Sequence, residues 1–309
     1  MSAPFFTVAI PLYNKEQSIQ RTIESVLNQT FKDFELVIVD DGSSDCSTDI
    51  VLSFNDPRLR LIRQANGGVS SARNHAMNVA MSNYICFLDA DDEFDSTYLE
   101  VMYKLISAAN RASFFSIKYR EVNESGEVFH HDSNFPEGFM GYVDDFFKAF
   151  TNRGVLNSSN VCVKKSVLSQ ISGFPNGVHI GEDIYTWLRL ADICQYAYAN
   201  TERVTIHRDA ENRACMRKEQ EIPYHIGKIL GADGIYDFKD INRERVVAFV
   251  ASNAVLHVAG AVLNGNRRMA FKMSRMLFQV SYLQWMKAVL LVVMPRFILR
   301  IAKFIRNHK

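Results

Sequence analysis

A chain of 309 residues with 35 basic and 34 acidic side chains has a net charge of +1, which argues against an extended basic surface for nucleic acid, although the charge is unevenly placed. Its 48% hydrophobic content is ordinary for a globular protein, and the length suits one large domain or a domain with an added lobe. Cys46, Cys86, Cys162, Cys194 and Cys215 are widely spaced, with no CxxC and no Cys/His cluster. That suggests neither a disulfide framework nor a zinc site and fits a reducing compartment. The opening "MSAPFFTVAIPLYNK" has no basic start and no long apolar run, so no secretory signal is expected there.

In chain order, "FTVAIPL" is a short apolar strand, and "SIQRTIESVLNQ" places Ile19, Ile23, Val26 and Leu27 at helical spacing. "FELVIVDDG" is a near-continuous β-branched run, the pattern of a strand covered on both faces. "STDIVLSF" predicts a helix, "RLRLIRQ" a strand, "SSARNHAMNVAMS" a helix, "YICFLD" a strand and "STYLEVMYKLISAAN" a helix. This alternation predicts an α/β fold with a doubly wound, mostly parallel sheet flanked by helices. From Phe114 to about His207 the pattern is irregular, with helices expected over "GYVDDFFKAF" and "GEDIYTWLRLADI" and strands over "SSNVCVKKSVL" and "AYANTERVTIH". After about Arg213 the chain reads as all-helical. Its "RERVVAFVASNAVLHVAGAVL" is long and apolar enough for a membrane span, but Ser252, Asn253 and His257 interrupt it, which favours a helix packed on its neighbour.

Ligands of such sheets sit beyond the carboxyl ends of the strands. Those ends fall at 11–14, 40–45, 64–68 and 89–92. The last is a knot of acids: Asp89, Asp91 and Asp92, followed by Glu93 and Asp95. Like charges this close repel, so the knot is either a solvated loop with helix-capping acids or a divalent-cation site, where the ion neutralises crowded oxygens. The first turn, "PLYNKEQS", lacks G-x-G-x-x-G, and no GxxxxGK[ST] occurs, so a dinucleotide turn and a P-loop are unsupported. Instead this edge offers Tyr13, Asn14, Asp40, Asp41, Arg73 and the acids. An aromatic face for a base, a carboxylate for a base N–H and a metal for a diphosphate together suit a nucleoside diphosphate.

"VAIPLYNKEQSIQRTIESVLNQTFKDFELVIVDDGSSD", "NGGVSSARNHAM" and "FLDADD" resemble the family 2 glycosyltransferases, whose fold is called GT-A. The resemblance is dense from Phe6 to Asp95 and thinner through "SGF" and "GEDIYTWLRL". It implies a bacterial polysaccharide type of enzyme with a GT-A domain over 1–212, comprising a nucleotide half, 1–112, and an acceptor half, 113–212, before a helical region, 213–309. It also implies that Pro11 and Tyr13 flank the base, that Asp41 hydrogen-bonds it with Asp40 and Asn14 beside it, and that Arg73 reaches the base or the phosphates. Asp89 and Asp91 would be the DxD pair holding Mn²⁺ or Mg²⁺ against the diphosphate, with Asp92 adjacent. Which of the three touches the metal stays open.

Sugar transfer needs a stabilised leaving diphosphate and a base for the acceptor hydroxyl. Glu182 and Asp183 stand at a glycine-led helix start, where acids also simply favour the helix dipole. The resemblance makes Asp183 the base and Glu182 its assistant, in an inverting single displacement. Trp187 reads as core. His207 is a candidate additional metal ligand, Arg208 and Arg213 are candidates to meet the diphosphate, and the stretch around them reads as a flap. The implied partners are a nucleotide-sugar donor, with UDP favoured by Tyr13 and Asp41, and a glycan or lipid-linked acceptor. A catalytically inactive nucleotide-sugar-binding scaffold of the same fold is the alternative; a signalling receiver module would leave most of the chain and the "ED" pair unexplained.

The C-terminal "WMKAVLLVVMPRFILRIAKFIRNHK" has an apolar run too short to span a membrane, then Arg296, Arg300, Lys303, Arg306 and Lys309 on one helical stripe. This predicts a basic amphipathic helix over 285–309 lying on an anionic membrane, and so a cytoplasmic enzyme peripheral on the inner face of the cell membrane.

Overall fold

The computed structural model describes residues 3–152, 154–210, 221–231 and 237–300. The chain divides into two compact units, Met1–Val178 with Arg189–Arg213, and His179–Leu188 with Ala214–Lys309.

The first unit begins with the expected alternation: β1 (Phe6–Leu12), α1 (Ile19–Leu27), β2 (Phe34–Asp40), α2 (Ser47–Leu52), β3 (Leu59–Arg63), α3 (Val69–Val79) and β4 (Tyr84–Phe87). Every residue of β2 is buried, as its unbroken apolar run requires of a strand covered on both faces. The strands lie in the order β3-β2-β1-β4, all parallel, with Leu12 opposite Asp40 and Ala9 opposite Phe87. Parallel pairing in register puts the carboxyl ends of β1, β2 and β4 along one edge.

The sheet continues with β5 (Glu93–Phe94), α4 (Tyr98–Ala108), β6 (Phe114–Val122), β7 (Val128–His130), β8 (Met140–Tyr142), α5 (Phe146–Phe150), β9 (Val161–Lys164), α6 (Lys165–Gln170), α7 (Glu182–Ile193) and β10 (Tyr196–His207). The full order is β3-β2-β1-β4-β9-β6-β10-β5 in a ten-stranded sheet, with β7 on β6 and β8 on β10. Here the pairing is mixed: β9 is antiparallel to β4 and β6, whereas β6 and β10 are parallel. The core of this unit lies beneath the strands, from Phe6, Ile10 and Leu36 to Leu99, Phe115 and Ile206.

Two expectations in this region are corrected. The helix read over "GYVDDFFKAF" is divided, because Gly141 and Tyr142 pair with Tyr198 and Ala197 of β10. The helix starts only after Asp145, whose carboxylate accepts the Lys148 N–H at 3.0 Å as an N-cap. The strand read over "SSNVCVKKSVL" is limited to β9; Ser158–Asn160 form a 3₁₀ turn before it and α6 follows it.

The second unit takes the first turns of α7, then α8 (Tyr224–Leu230), α9 (Asp240–Leu263), α10 (Arg267–Val280) and α11 (Tyr282–Val293). Trp187 is buried, as its sequence context implied. The Asn242–Leu263 part of α9 is long and apolar enough to cross a membrane by length and composition. Its Val246, Val250, Ala254, Val258 and Ala261 form a buried stripe at helical spacing, and α9 packs on α8, α10 and α11. The expectation over 211–220, including Arg213, and the part of the basic stripe at Lys303, Arg306 and Lys309 lie outside the described residues.

Candidate functional site

The loop after β1 turns through Asn14, whose φ of 51° lies in the left-handed region that asparagine tolerates. Its backbone N–H donates to Ser43 Oγ at 3.0 Å, and its Oδ1 accepts the Ser44 N–H at 2.8 Å. Asn14 therefore ties the loop after β1 to the loop after β2. Lys15 N–H adds a third tie, to Ser47 Oγ at 2.8 Å. Pro11 and Tyr13 flank this turn and are half-buried.

The two acids after β2 differ in their duties. Asp40 is fully buried; its oxygens accept the Ser43 N–H at 2.9 Å and the Thr48 hydroxyl at 3.0 Å, and Arg63 Nε stands 3.4 Å away. It closes the turn. Asp41 receives Gln64 Nε2 at 2.7 Å and Gly67 N–H at 2.8 Å on Oδ1, and Gly68 N–H at 2.8 Å on Oδ2. The glycines permit this: Gly68 has φ +85°, and a Cβ on Gly67 would meet Ser71 Oγ at 2.7 Å. Two carboxylate oxygens offer about four acceptor positions, so one direction on Oδ2 remains for a ligand N–H.

The acidic knot follows β4. Arg73, on α3 and 3% exposed, donates from Nη2 to Asp89 Oδ1 at 2.7 Å, with its guanidinium 5.3 Å from the Phe174 ring centre. Lys15 Nζ donates to Asp91 Oδ2 at 2.7 Å. Burial raises the Asp91 carboxyl above its usual range, Lys15 draws it back, and Asp89 pushes it up again. Asp92 is held inside. Its Oδ2 accepts the Ser159 hydroxyl and its Oδ1 the His207 N–H at 2.9 Å, while Ser159 Oγ accepts the Asp89 N–H at 3.1 Å. Burial pushes the Asp92 carboxyl far up, and Asp91 and Asp89 add to that. The knot is thus three carboxylates with three supports: Arg73, Lys15 and Ser159.

The His207 ring, a candidate metal ligand, contacts Glu93 and Asp209. Its Nε2 lies 2.6 Å from Glu93 Oε1 and its Nδ1 3.4 Å from Asp209, and the contact with His207 holds the Glu93 carboxyl below its usual range. Arg208 pairs with Glu121 at 2.6 Å. Lys15 and Ser159 belong to no motif that the sequence displays on its own.

Among the described residues no three His, Cys, Asp or Glu side chains converge into a metal cage. The donor set still suits a hard cation. Asp89 and Asp91 each present one oxygen to a cation of the chain, and their other oxygens are hard ligands of the kind Mg²⁺ takes in ones or twos beside substrate phosphates.

In the second unit, Gly181 has φ +82° and leads into α7. A Cβ there would collide with His225 Nδ1, so glycine is required for both conformation and space. Glu182 is buried, and Asp183 is half-buried with its Oδ1 accepting the Ile184 N–H at 2.7 Å. Acids at these positions complement the start of α7.

Residues 7–171 match the family model described as Glycosyl transferase family 2. The glycosyltransferase GlyA of Streptococcus pneumoniae is 38% identical over 126 residues, covering 40% of this chain and 18% of its own length. The chondroitin synthase of Pasteurella multocida is 35% identical over 136 residues, covering 43% of this chain and 14% of its own. The matched part of this chain therefore spans less than a fifth of either relative. Among solved structures, S. aureus TarS 1-349 in complex with UDP-GlcNAc superposes with a TM-score of 0.66 at 20% identity, covering 93% of this chain and 81% of that one. The shared fold is of the GT-A type.

Proposed function

Since the chain belongs to glycosyl transferase family 2, we propose that it moves a sugar from a UDP-sugar to a hydroxyl of a glycan or lipid-linked acceptor in cell-surface polysaccharide synthesis. The observation that carries this reading is the ligand edge, where Tyr13, Asp41, Arg73, Asp89 and Asp91 stand at the carboxyl ends of three adjacent parallel strands or the helix beside them. A relative named chondroitin synthase supports the polysaccharide class, and a fold shared with a protein solved with UDP-GlcNAc supports the donor class.

On this reading the Tyr13 ring covers the base, and Asp41 accepts the base N–H on its remaining Oδ2 direction. The loop amides of Gly67 and Gly68 fix that carboxylate beforehand, so little ordering is left to the moment of binding. Arg73 and Lys15 orient Asp89 and Asp91 through their ion pairs. Asp89 and Asp91 would hold Mn²⁺ or Mg²⁺, which would supply Lewis-acid stabilisation of the departing diphosphate. Asp92 positions the knot through Ser159 and the His207 amide. Asp183 takes the proton of the acceptor hydroxyl as it attacks, with Glu182 assisting, so that the anomeric centre inverts and no glycosyl-enzyme forms.

The test is UDP affinity measured by calorimetry with Mn²⁺ and with EDTA, on the native chain and on Asp91→Asn. Native affinity should fall at least tenfold in EDTA, and Asp91→Asn should lose that metal dependence and the transfer activity while unfolding normally. Equal affinities with and without metal, together with an active Asp91→Asn, would overturn the assignment.

A further inference from the structure

Helix α11 faces the wrong way for a soluble surface. Of its twelve residues only Ala288 is fully buried. Leu283, Met286, Leu290 and Val293, continued by Phe297, are each between 51% and 64% exposed. Their steps of three and four residues place them on a single stripe. α10 has a matching outer face: Phe271 and Phe278 are 56% and 58% exposed and alternate with exposed Arg268 and Arg275, again at steps of three and four. Lys272 stands beside them. These three bases form no ion pair among the described residues. Where the two helices meet, Phe278 and Tyr282 pack on Trp285 with ring centres 5.0 Å and 5.3 Å apart. Both helices pack on α9, so they form one outward surface. A contiguous exposed apolar face of this size marks an interaction site.

Charge decides what covers it. From Arg245 to Lys309 the sequence has eleven bases and no acid, whereas the first 244 residues hold all 34 acids and 24 bases. Two copies pressed together here would bring like charge onto like charge. An acidic partner without an apolar face would leave the stripe of α11 bare. Apolar side chains flanked by bases, with tryptophan and tyrosine at the margin, match a lipid–water interface bearing negative headgroups.

We propose that α10 and α11 together form the surface by which this protein inserts shallowly into an anionic membrane. The contact expected over 285–309 thus overlaps α11 and is extended here to α10. Arg296 of the basic stripe donates from Nε to Val262 O at 3.0 Å and so braces the end of α9. Arg267 likewise donates to Met294 O at 3.0 Å. Arg268, Lys272 and Arg275 of α10 are exposed, as are Lys287 of α11 and Arg300 beyond it. The proposal deepens the transferase reading, since a surface of this kind holds the protein where a lipid-linked acceptor lies.

The experiment is sedimentation of the full chain with phosphatidylcholine vesicles containing or lacking about a third phosphatidylglycerol, alongside UDP binding on the same samples. The native chain should pellet with anionic vesicles, release in high salt, and stay soluble with neutral ones. Phe278→Ser/Leu290→Ser and Arg268→Glu/Arg275→Glu should each weaken vesicle partitioning by roughly tenfold or more, from lost apolar burial and lost headgroup attraction of about 1 kcal/mol per base. Both variants change exposed residues only, so their UDP affinity and unfolding should match the native chain. Native failure to pellet at low salt would overturn the surface, as would variants that pellet like the native chain. So would a vesicle-free dimer that Leu290→Ser dissolves, which would make this face an interface between copies. Loss of UDP binding with intact pelleting would instead sink the transferase reading and leave the surface standing.

Discussion

His225 gives the second unit a stability that acid should remove. The ring is fully buried on α8, with Nε2 2.8 Å from Asn253 Oδ1 of α9 and its centre 5.9 Å from that of His257. Burial lowers its pKa from 6.5 to about 4, against a smaller upward pull from Asn253. A base whose folded pKa is depressed favours folding in its neutral form. Its contribution is complete above pH 6.5, falls as the pH drops toward about 4, and is gone below that. At about 1.4 kcal/mol for each pH unit of the gap, the loss is on the order of 3 kcal/mol across that window. The same ring fills the space against Gly181, the residue leading Glu182 and Asp183 into α7. Protonation should therefore loosen the start of that helix as well. Urea unfolding at pH 8, 6.5, 5.5 and 4.5, followed by tryptophan fluorescence, would compare the native chain with His225→Gln. The variant should be less stable at pH 8 and should show a pH slope shallower by about 1 kcal/mol per pH unit between pH 6 and pH 4.5. Parallel slopes for the two proteins would refute the reasoning.

Two further outcomes follow from the site. Asp183→Asn should bind UDP nearly as the native chain does and lose turnover by roughly two orders of magnitude or more, the scale for removing a general base; unchanged turnover with a competent acceptor would end that assignment. Ser159→Ala removes the hydroxyl between the Asp89 amide and the buried Asp92 carboxylate, and should cost about 1–3 kcal/mol of stability for the group left unsatisfied. Calorimetry should show weaker Mn²⁺-dependent UDP binding in the same variant, whereas a purely structural role for Ser159 would leave that affinity unmoved.

The α/β rhythm of the first hundred residues was legible because a buried parallel strand must be an unbroken apolar run, and β1, β2 and β4 are such runs ended by turn residues. Their polar ends could therefore be placed on one edge before any coordinates, and Asp41, Arg73, Asp89 and Asp91 do stand there. Beyond β4 the local signal fails. β5 is only two residues long and is a strand because Glu93 and Phe94 meet Thr205 and Val204 of β10. β8 exists because β10 has an edge free to pair, which overrides the helical look of the segment it opens. The order β4-β9-β6-β10 joins strands distant in sequence, and no local periodicity encodes such pairings. The acidic knot divides in the same way. Its composition identified a place where charge must be neutralised, since crowded carboxylates cannot be buried unpaired. Only the tertiary structure supplied the partners, Lys15 from 76 residues away for Asp91, Arg73 for Asp89 and Ser159 for Asp92. It also turned the His207 ring toward Glu93, because that direction depends on how the end of β10 lies beside β5.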